Sequence, residues 1–192
     1  MRDWRWTAPA LATAIGWALI PAAGLGLSGI AQVVLPSDWN RAVSLWLQGP
    51  EHYGLTVIAA ITQELFLAEV TLPLAALGVV LLAIRRRWLL AASLAAAFPV
   101  VFFEVILKFL LDVPSASTYL AMRRLIAAPG VPAPLEHGFP SGHASRAAFL
   151  LGWLAIALAP RAYRVGALAA AAVLTLGVCW TRIYVGDHSV LE

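Results

Sequence analysis

Residues 85–111 read RRRWLLAASLAAAFPVVFFEVILKFLL, in which three arginines precede an apolar run whose only charged residues are Glu104 and Lys108. About 20 apolar residues suffice to cross the hydrocarbon core of a bilayer, so the run from Trp88 to Leu111 predicts a membrane-spanning helix. An ionisable side chain costs roughly 2.5–3.5 kcal/mol at the centre of an inserted helix, and those that are found inside spans tend to be functional. Lys108 is therefore a candidate functional residue.

The composition of the whole chain extends this interpretation. Of the 192 residues, 61% are hydrophobic and only 12% are charged, with a mean hydropathy of +0.84. Soluble domains carry roughly 25% charged residues, so the polar surface is too small to cover a water-facing globule. The net charge of +3 comes from scattered residues and argues against nucleic-acid binding. The single cysteine, Cys179, excludes an intrachain disulfide and a thiolate metal cluster.

Five apolar stretches predict an all-α fold, a polytopic transmembrane bundle that forms one domain over residues 1–192. Residues 36–53, with Trp39, Trp46 and Tyr53, predict a short interfacial helix that lies on the membrane. A sixth span would return the chain to the cytoplasm; we expect it to be missing either because the chain ends before it or because the sequence is truncated there. The five predicted spans are Leu11–Leu35, Leu65–Ile84, Trp88–Leu111, Ser141–Pro160 and Val165–Val185.

The arginines set the expected orientation in the cell membrane. If the spans alternate, most basic residues fall on one side, which the positive-inside rule identifies as cytoplasmic. Residues 36–53, residues 112–140 and the C-terminal segment from Arg182 then lie outside. The basic residues on the cytoplasmic side are Arg2, Arg5, Arg85, Arg86, Arg87, Arg161 and Arg164, and those outside include Arg41, Arg123, Arg124 and Arg182.

The outer side collects residues that suit phosphate chemistry. Lys108 and Arg182 are cations that could bind a phosphate dianion, while His143 and His188 could attack phosphorus and protonate the leaving oxygen. Each residue alone also has an ordinary interpretation. Lys108 could extend to the headgroups with Glu104 as its partner, and Arg182 and His188 could be interfacial residues.

Two local patterns strengthen the phosphate interpretation. Ser141 precedes an apolar run and is a suitable N-cap, and the free amides and positive dipole end of such a helix start form an anion site beside His143. If the helix continues, His188 and Glu192 share a face, and the carboxylate can hold one imidazole nitrogen protonated while the other attacks.

These motifs, Phe139-Pro-Ser-Gly-His143 and Arg182-x5-His188-x3-Glu192, resemble the type 2 phosphatidic acid phosphatase superfamily. Its motifs read Lys-x6-Arg-Pro, Pro-Ser-Gly-His and Ser-Arg-x5-His-x3-Asp. The resemblance extends from Lys108 to Glu192 and implies a bundle of normally six spans. It also implies a lipid phosphatase or diphosphatase that needs no metal and no cofactor, works through a phosphohistidine, and takes its phosphorylated lipid from the membrane.

The resemblance also implies a role for each matching position. His188 is the nucleophile, His143 is the general acid, and Glu192 stands where an aspartate orients the nucleophile. The implied phosphate-binding residues are Lys108, Ser141, Gly142, Arg182 and, at the position of the first-motif arginine, Ser115.

Three positions depart from the family pattern. Ser115 and Ala116 replace Arg-Pro of the first motif, Thr181 replaces serine, and Glu192 replaces aspartate. A lost charge-assisted hydrogen bond is worth about 1.5–3 kcal/mol, which would slow a phosphatase without abolishing its activity. A substitute cation could offset the loss, and the candidates are Arg123, Arg124 and Arg146.

Two other functions fit the same residues. A phosphotransferase would use a lipid or sugar hydroxyl in place of water, and the acceptor pocket has no recognisable motif. A non-catalytic member would bind lipid or a partner protein; Ser115 and the missing sixth span favour it, whereas Lys108 and both histidines oppose it.

Overall fold

The computed structural model describes Gly26, Ile30 and residues 37–110, 119–121, 123 and 140–191 of the chain. All regular elements in these ranges are helical, which confirms the predicted fold class there. The first predicted span, Leu11–Leu35, lies outside the described residues apart from Gly26 and Ile30. The helices are α1 (Ser37–Gln48), α2 (Tyr53–Leu65), α3 (Ala68–Ile84), α4 (Trp88–Ala95), α5 (Ala97–Leu110), α6 (Gly142–Leu158) and α7 (Arg164–Tyr184), with a 3-10 turn at Arg161–Tyr163.

Two continuous helical stretches in the described part of the chain are long and apolar enough to cross a membrane. They are Trp88–Leu110, which joins α4 and α5, and Arg161–Tyr184, which joins the 3-10 turn and α7. Helices α2 and α3, bent by 49° at their junction, form a third if they make one broken span, whereas α6 has only 17 residues. The count of five spans stays a prediction.

The outward faces of these helices are apolar. Phe102 is 63% exposed, Phe109 67% and Leu176 68%. Contiguous apolar surface of this kind is rare on water-soluble monomers and is compatible with lipid around the helices.

The junction between α4 and α5 has a local cause. Pro99 has no backbone N–H, and its ring clashes with the carbonyl four residues earlier, which belongs to Ala95. Helix α4 ends at Ala95, and α5 begins at Ala97 so that Pro99 falls in its first turn, where a proline is tolerated. The predicted third span is therefore present as two short helices in series.

The second predicted span differs at its start. Leu65 ends α2 and does not begin a helix, and α3 begins at Ala68. The backbone N–H of Phe66 bonds the carbonyl of Gln63, while the carbonyl of Phe66 accepts a hydrogen bond of 2.7 Å from Nε of Arg146. The side chain of Arg146, 80 residues away, thus provides a hydrogen-bond donor for the backbone carbonyl at the break. The sequence pattern could not reveal this contact.

The core joins small residues to a few aromatic ones. Helix α7 packs against α6, α2 and α1, and Tyr184 near its end is 1% exposed. The Tyr184 hydroxyl exchanges hydrogen bonds with the backbone of His52 and with Thr56 at the start of α2. A second core, between α3, α4, α5 and α6, contains Ala75, Leu94, Ala97, Val100 and Phe149.

Helix α1 holds the chain segment that follows α5. Gln48, at the end of α1, is 5% exposed; its amide nitrogen donates to the carbonyl of Ala121 (2.7 Å), and its amide oxygen accepts from the backbone N–H of Ala121 (3.2 Å). The same nitrogen lies 3.3 Å from the carbonyl of Tyr184. One side chain therefore connects α1, α7 and the segment around Ala121.

We expect Gln48→Ala to lower the thermal midpoint in detergent by about 4 °C or more, because each buried polar group left without a partner costs about 1–3 kcal/mol. Gln63→Ala, which truncates a half-buried glutamine on α2, is the matched control and should change the midpoint less. Equal midpoints for the two variants would show that Gln48 does not hold this segment.

Candidate active site

Three helix ends meet at one end of the bundle. Lys108 lies in the last turn of α5, Gly142 and His143 begin α6, and Arg182 lies in the last turn of α7. Arg182, Arg146, His188 and Lys108 all lie near enough to the imidazole of His143 to interact with it electrostatically. Residues from three separate segments are thus close enough to form one site.

The start of α6 presents polar atoms that have no partner. Ser141 occupies the N-cap position with an extended backbone, as predicted, but its side chain makes no capping bond. Its Oγ and Nε2 of His143 are both buried and have no hydrogen-bond partner among the described residues. The first amides of a helix also lack intrahelical partners. An anionic ligand with several oxygen atoms would satisfy these groups together.

A buried ion triad lies directly beneath this helix start. Glu104 is 4% exposed; its Oε1 lies 3.3 Å from Nζ of Lys108, and its Oε2 lies 2.7 Å from Nη1 of Arg146. The partnership of Lys108 with Glu104, expected from their spacing, is confirmed. Arg146, one of the candidate substitute cations, lies beside the site and not in solvent.

Gly142 rests on this triad with no room for a side chain. A Cβ at position 142 would lie 2.6 Å from Nη1 of Arg146 and closer still to the carboxylate of Glu104. Real Cβ atoms essentially never approach heavy atoms so closely. A side chain at this position of the Pro-Ser-Gly-His motif would therefore have to displace the buried Glu104–Arg146 pair.

The chain reverses immediately after α7 through a Schellman motif. Gly186, with φ of +85°, is the left-handed residue; its N–H bonds the carbonyl of Ile183, and the N–H of Asp187 bonds that of Arg182. The N–H of His188 also lies 3.3 Å from the Arg182 carbonyl. This turn brings His188 back toward Arg182, and thereby sets the distance between these two motif residues.

Helix α7 ends at Tyr184, so His188 lies in the turn beyond the helix and not on a continuing helical face. Asp187, which a helix would have pointed elsewhere, forms an ion pair with the guanidinium of Arg182, a residue 4% exposed. Glu192 itself lies outside the described residues, as does Ser115.

Helix α1 supports the segment that carries His188. Asn40 donates to Oγ of Ser189 (3.0 Å) and accepts from the N–H of Leu191 (3.3 Å), while Oγ of Ser44 accepts from the N–H of Val190 (3.1 Å). Sequence reasoning missed these residues. Their signal was a polar stripe at four-residue spacing, Asn40, Ser44 and Gln48, on a helix whose tryptophans drew attention to the other face.

The other candidate cations are placed differently. Arg123 donates to the carbonyls of Gln48 (2.9 Å) and Gly49 at the end of α1, and its guanidinium stacks on the ring of Tyr184. Arg123 is thus a structural residue, and Arg124 lies outside the described residues. The part of the chain that the structure describes contains no group of three histidine, cysteine or carboxylate side chains that could hold a metal ion.

The family model of the PAP2 superfamily matches residues 86–191, more than half of the chain, and confirms the resemblance. The match contains Lys108, Ser141, His143, Arg182 and His188. No curated protein and no solved structure matches the chain.

We expect Gly142→Ala to destabilise the fold by about 1–3 kcal/mol, because the new methyl group overlaps the buried Glu104–Arg146 pair. Gly177→Ala is the matched control: Gly177 lies within α7 with nothing within 4 Å of an added Cβ, so alanine there should be neutral or stabilising by up to about 1 kcal/mol. Thermal unfolding of both variants in the same detergent measures the difference. A Gly142→Ala midpoint equal to that of the unmodified chain would contradict the packing argument.

Proposed function

Because this chain belongs to the PAP2 superfamily, whose members are generally phosphatases acting on phosphate esters, we propose that it hydrolyses a phosphate or diphosphate ester of a membrane lipid. The reaction uses a phosphohistidine intermediate, needs no metal, and takes place at the outer face of the cell membrane. The observation that best supports the proposal is that Lys108, His143 and Arg182 lie at the ends of three packed helices, and that the turn after α7 returns His188 toward Arg182.

The proposed phosphate group binds at the start of α6. The Lys108 ammonium and the Arg182 guanidinium supply positive charge, and the Ser141 hydroxyl and the Gly142 amide donate hydrogen bonds to phosphate oxygens. The burial of Ser141 Oγ without a partner among the described residues supports this arrangement. Donors fixed before the substrate arrives stabilise the charge of the transition state without reorganisation.

The two histidines divide the chemistry. A ring nitrogen of His188 attacks phosphorus and forms a P–N bond while the P–O bond to the lipid breaks. His143, which holds a proton once the bound phosphate dianion balances the surrounding cations, transfers that proton to the departing oxygen. Neutral His143 then takes a proton from water as that water attacks phosphorus. The P–N bond breaks, inorganic phosphate leaves, and both histidines return to their starting states. Glu192 is proposed to orient His188.

The apolar surfaces of the helices support a lipid as the substrate. The site lies at the ends of α5 and α7, and each of them belongs to a stretch that is long and apolar enough to cross a membrane. A substrate whose hydrocarbon chains remain in the bilayer could present its headgroup at this level. The bilayer would then restrict substrate diffusion to two dimensions and orient the headgroup toward the site.

We expect the purified chain to release phosphate from at least one of phosphatidate, phosphatidylglycerophosphate and a polyprenyl diphosphate in detergent containing EDTA. His188→Ala should lower kcat by about three orders of magnitude or more, since it removes the nucleophile. His143→Ala should lower kcat by about 10²- to 10⁴-fold. Acid-labile label from a radioactive substrate should appear on the unmodified chain and not on His188→Ala.

The matched control is His52→Ala, because His52 is an exposed histidine whose bonds to Tyr184 run through its backbone. This variant should keep its activity. Full activity of His188→Ala on every substrate, or activity that vanishes with EDTA and returns with a divalent cation, would overturn the proposal. Product that appears only after addition of an acceptor lipid would identify a phosphotransferase.

A further inference from the structure

We propose that Glu104, which lies outside the three family motifs, is a positioning residue that holds the Lys108 ammonium beside the phosphate site with Arg146 as its counter-ion. This inference rests on the proposed function, because it assigns Lys108 to the binding of a phosphate group. It adds to that function a residue that touches neither the substrate nor the reacting atoms.

The two oxygens of Glu104 are divided between two cations on different helices. Oε1 lies 3.3 Å from Lys108, one turn later on α5, and Oε2 lies 2.7 Å from Arg146 on α6. The Glu104 side chain is 5% exposed and that of Arg146 is 9% exposed, whereas 28% of the Lys108 side chain is accessible. The carboxylate of Glu104 and the guanidinium of Arg146 are thus shielded from solvent, whereas the ammonium of Lys108 reaches the accessible surface.

Stability alone is a poor reason for this bridge. Removing two charges from water costs several kcal/mol per ion, and apolar residues of similar volume often stabilise a core as well as a buried ion pair does. The surroundings of Glu104 on α5 are apolar, with Phe102, Phe103 and Val105 beside it in sequence. A buried carboxylate in such a helix is better explained by the group that it positions.

The position of Gly142 joins the bridge to the phosphate site. The Gly142 backbone packs directly on the Glu104 carboxylate and on Nη1 of Arg146. Glu104 therefore contacts both structures that the proposed mechanism uses for phosphate, namely the Lys108 ammonium and the first turn of α6. A fixed Glu104 carboxylate in contact with both would set the distance between the Lys108 ammonium and the first turn of α6.

Arg146 gives the bridge its net charge. One carboxylate and two cations leave a charge of +1 beside the site. Ser115 supplies no charge at the position of the first-motif arginine. Arg146 neutralises the charge of the Glu104 carboxylate, so the positive charge of Lys108 remains available for a phosphate group.

Lys108 can be followed directly, because it is the only lysine in the chain. Reductive methylation of the full chain in detergent modifies two amines, Lys108 and the chain N-terminus, and mass spectrometry separates the two peptides. In Glu104→Gln we expect Lys108 to react at least about threefold faster, since the carboxylate that pairs with its ammonium is gone and the side chain can move into solvent. The N-terminal amine is the internal reference, and Glu69→Gln, at an exposed glutamate of α3, is the control variant.

Kinetics of phosphate release from the best substrate provide the second measurement. Glu104→Gln should lower kcat/KM by about tenfold or more, and Glu104→Asp, which keeps the charge, should recover part of it. Orthovanadate, as a phosphate analogue, should protect Lys108 from methylation in the unmodified chain and protect it at least about tenfold less effectively in Glu104→Gln.

The double variant Glu104→Leu/Arg146→Met separates positioning from stability, and it also serves if Glu104→Gln fails to fold. It removes the buried pair without leaving a lone buried charge, and the remaining loss, about 1–3 kcal/mol for the unpaired carbonyl of Phe66, should leave the chain folded. We still expect fast methylation of Lys108 and low kcat/KM. A stable double variant with unchanged Lys108 reactivity and full activity would overturn the inference.

Failure of the inference and failure of the proposed function give different results. If the unmodified chain hydrolyses lipid phosphates while Lys108 reacts equally in all variants, Glu104 does not position Lys108 and the proposed function stands. If the unmodified chain hydrolyses none of them, the proposed function fails. In that case, faster methylation of Lys108 in Glu104→Gln would show that Glu104 holds the lysine. Failure of orthovanadate to protect Lys108 in the unmodified chain would show that Lys108 does not bind a phosphate group.

Discussion

The bond between Arg146 and Glu104 is the contact on which the rest of the site depends. It joins α5 to α6 in the buried interior, and the same guanidinium donates to the carbonyl at the break between α2 and α3. In an apolar environment a backbone carbonyl without a partner is costly, so the break can exist only where such a donor reaches it. One arginine therefore satisfies an irregular backbone and balances a buried carboxylate. The ends of three helices are arranged around these two contacts.

The sequence predicted features that depend on local pattern. The ends of the third and fifth spans, the start of α6 at Gly142, and the Lys108–Glu104 partnership were all confirmed, because apolar runs, N-cap residues and four-residue spacing act within one or two turns. The reversal of the chain after the fifth span was not predicted. A glycine four residues after Arg182 permits a left-handed turn, and the Schellman bonds that use it end the helix.

What the sequence could not reveal depends on partners far along the chain. The break at Phe66 is paired with a residue 80 positions away, and the hydrogen bonds of α1 to the segment after His188 cross about 150 positions. The polar face of helix α1 packs against the rest of the protein, and its aromatic face is exposed: Ser44 is fully buried, whereas Trp46 is 77% exposed. Amphipathicity usually indicates which face meets water. For α1 the polar stripe faces inward, because its partners are backbone groups around the site.

The contact between Gly186 and Ala121 divides the long connection between α5 and α6. A Cβ at Gly186 would lie 2.5 Å from the carbonyl oxygen of Ala121, so the turn after α7 and this point of the connection approach each other through backbone. Fixing Ala121 divides the connection into two shorter parts whose ends are set independently. A change of length after Arg123 would then leave the span between Lys108 and Ala121 unaltered.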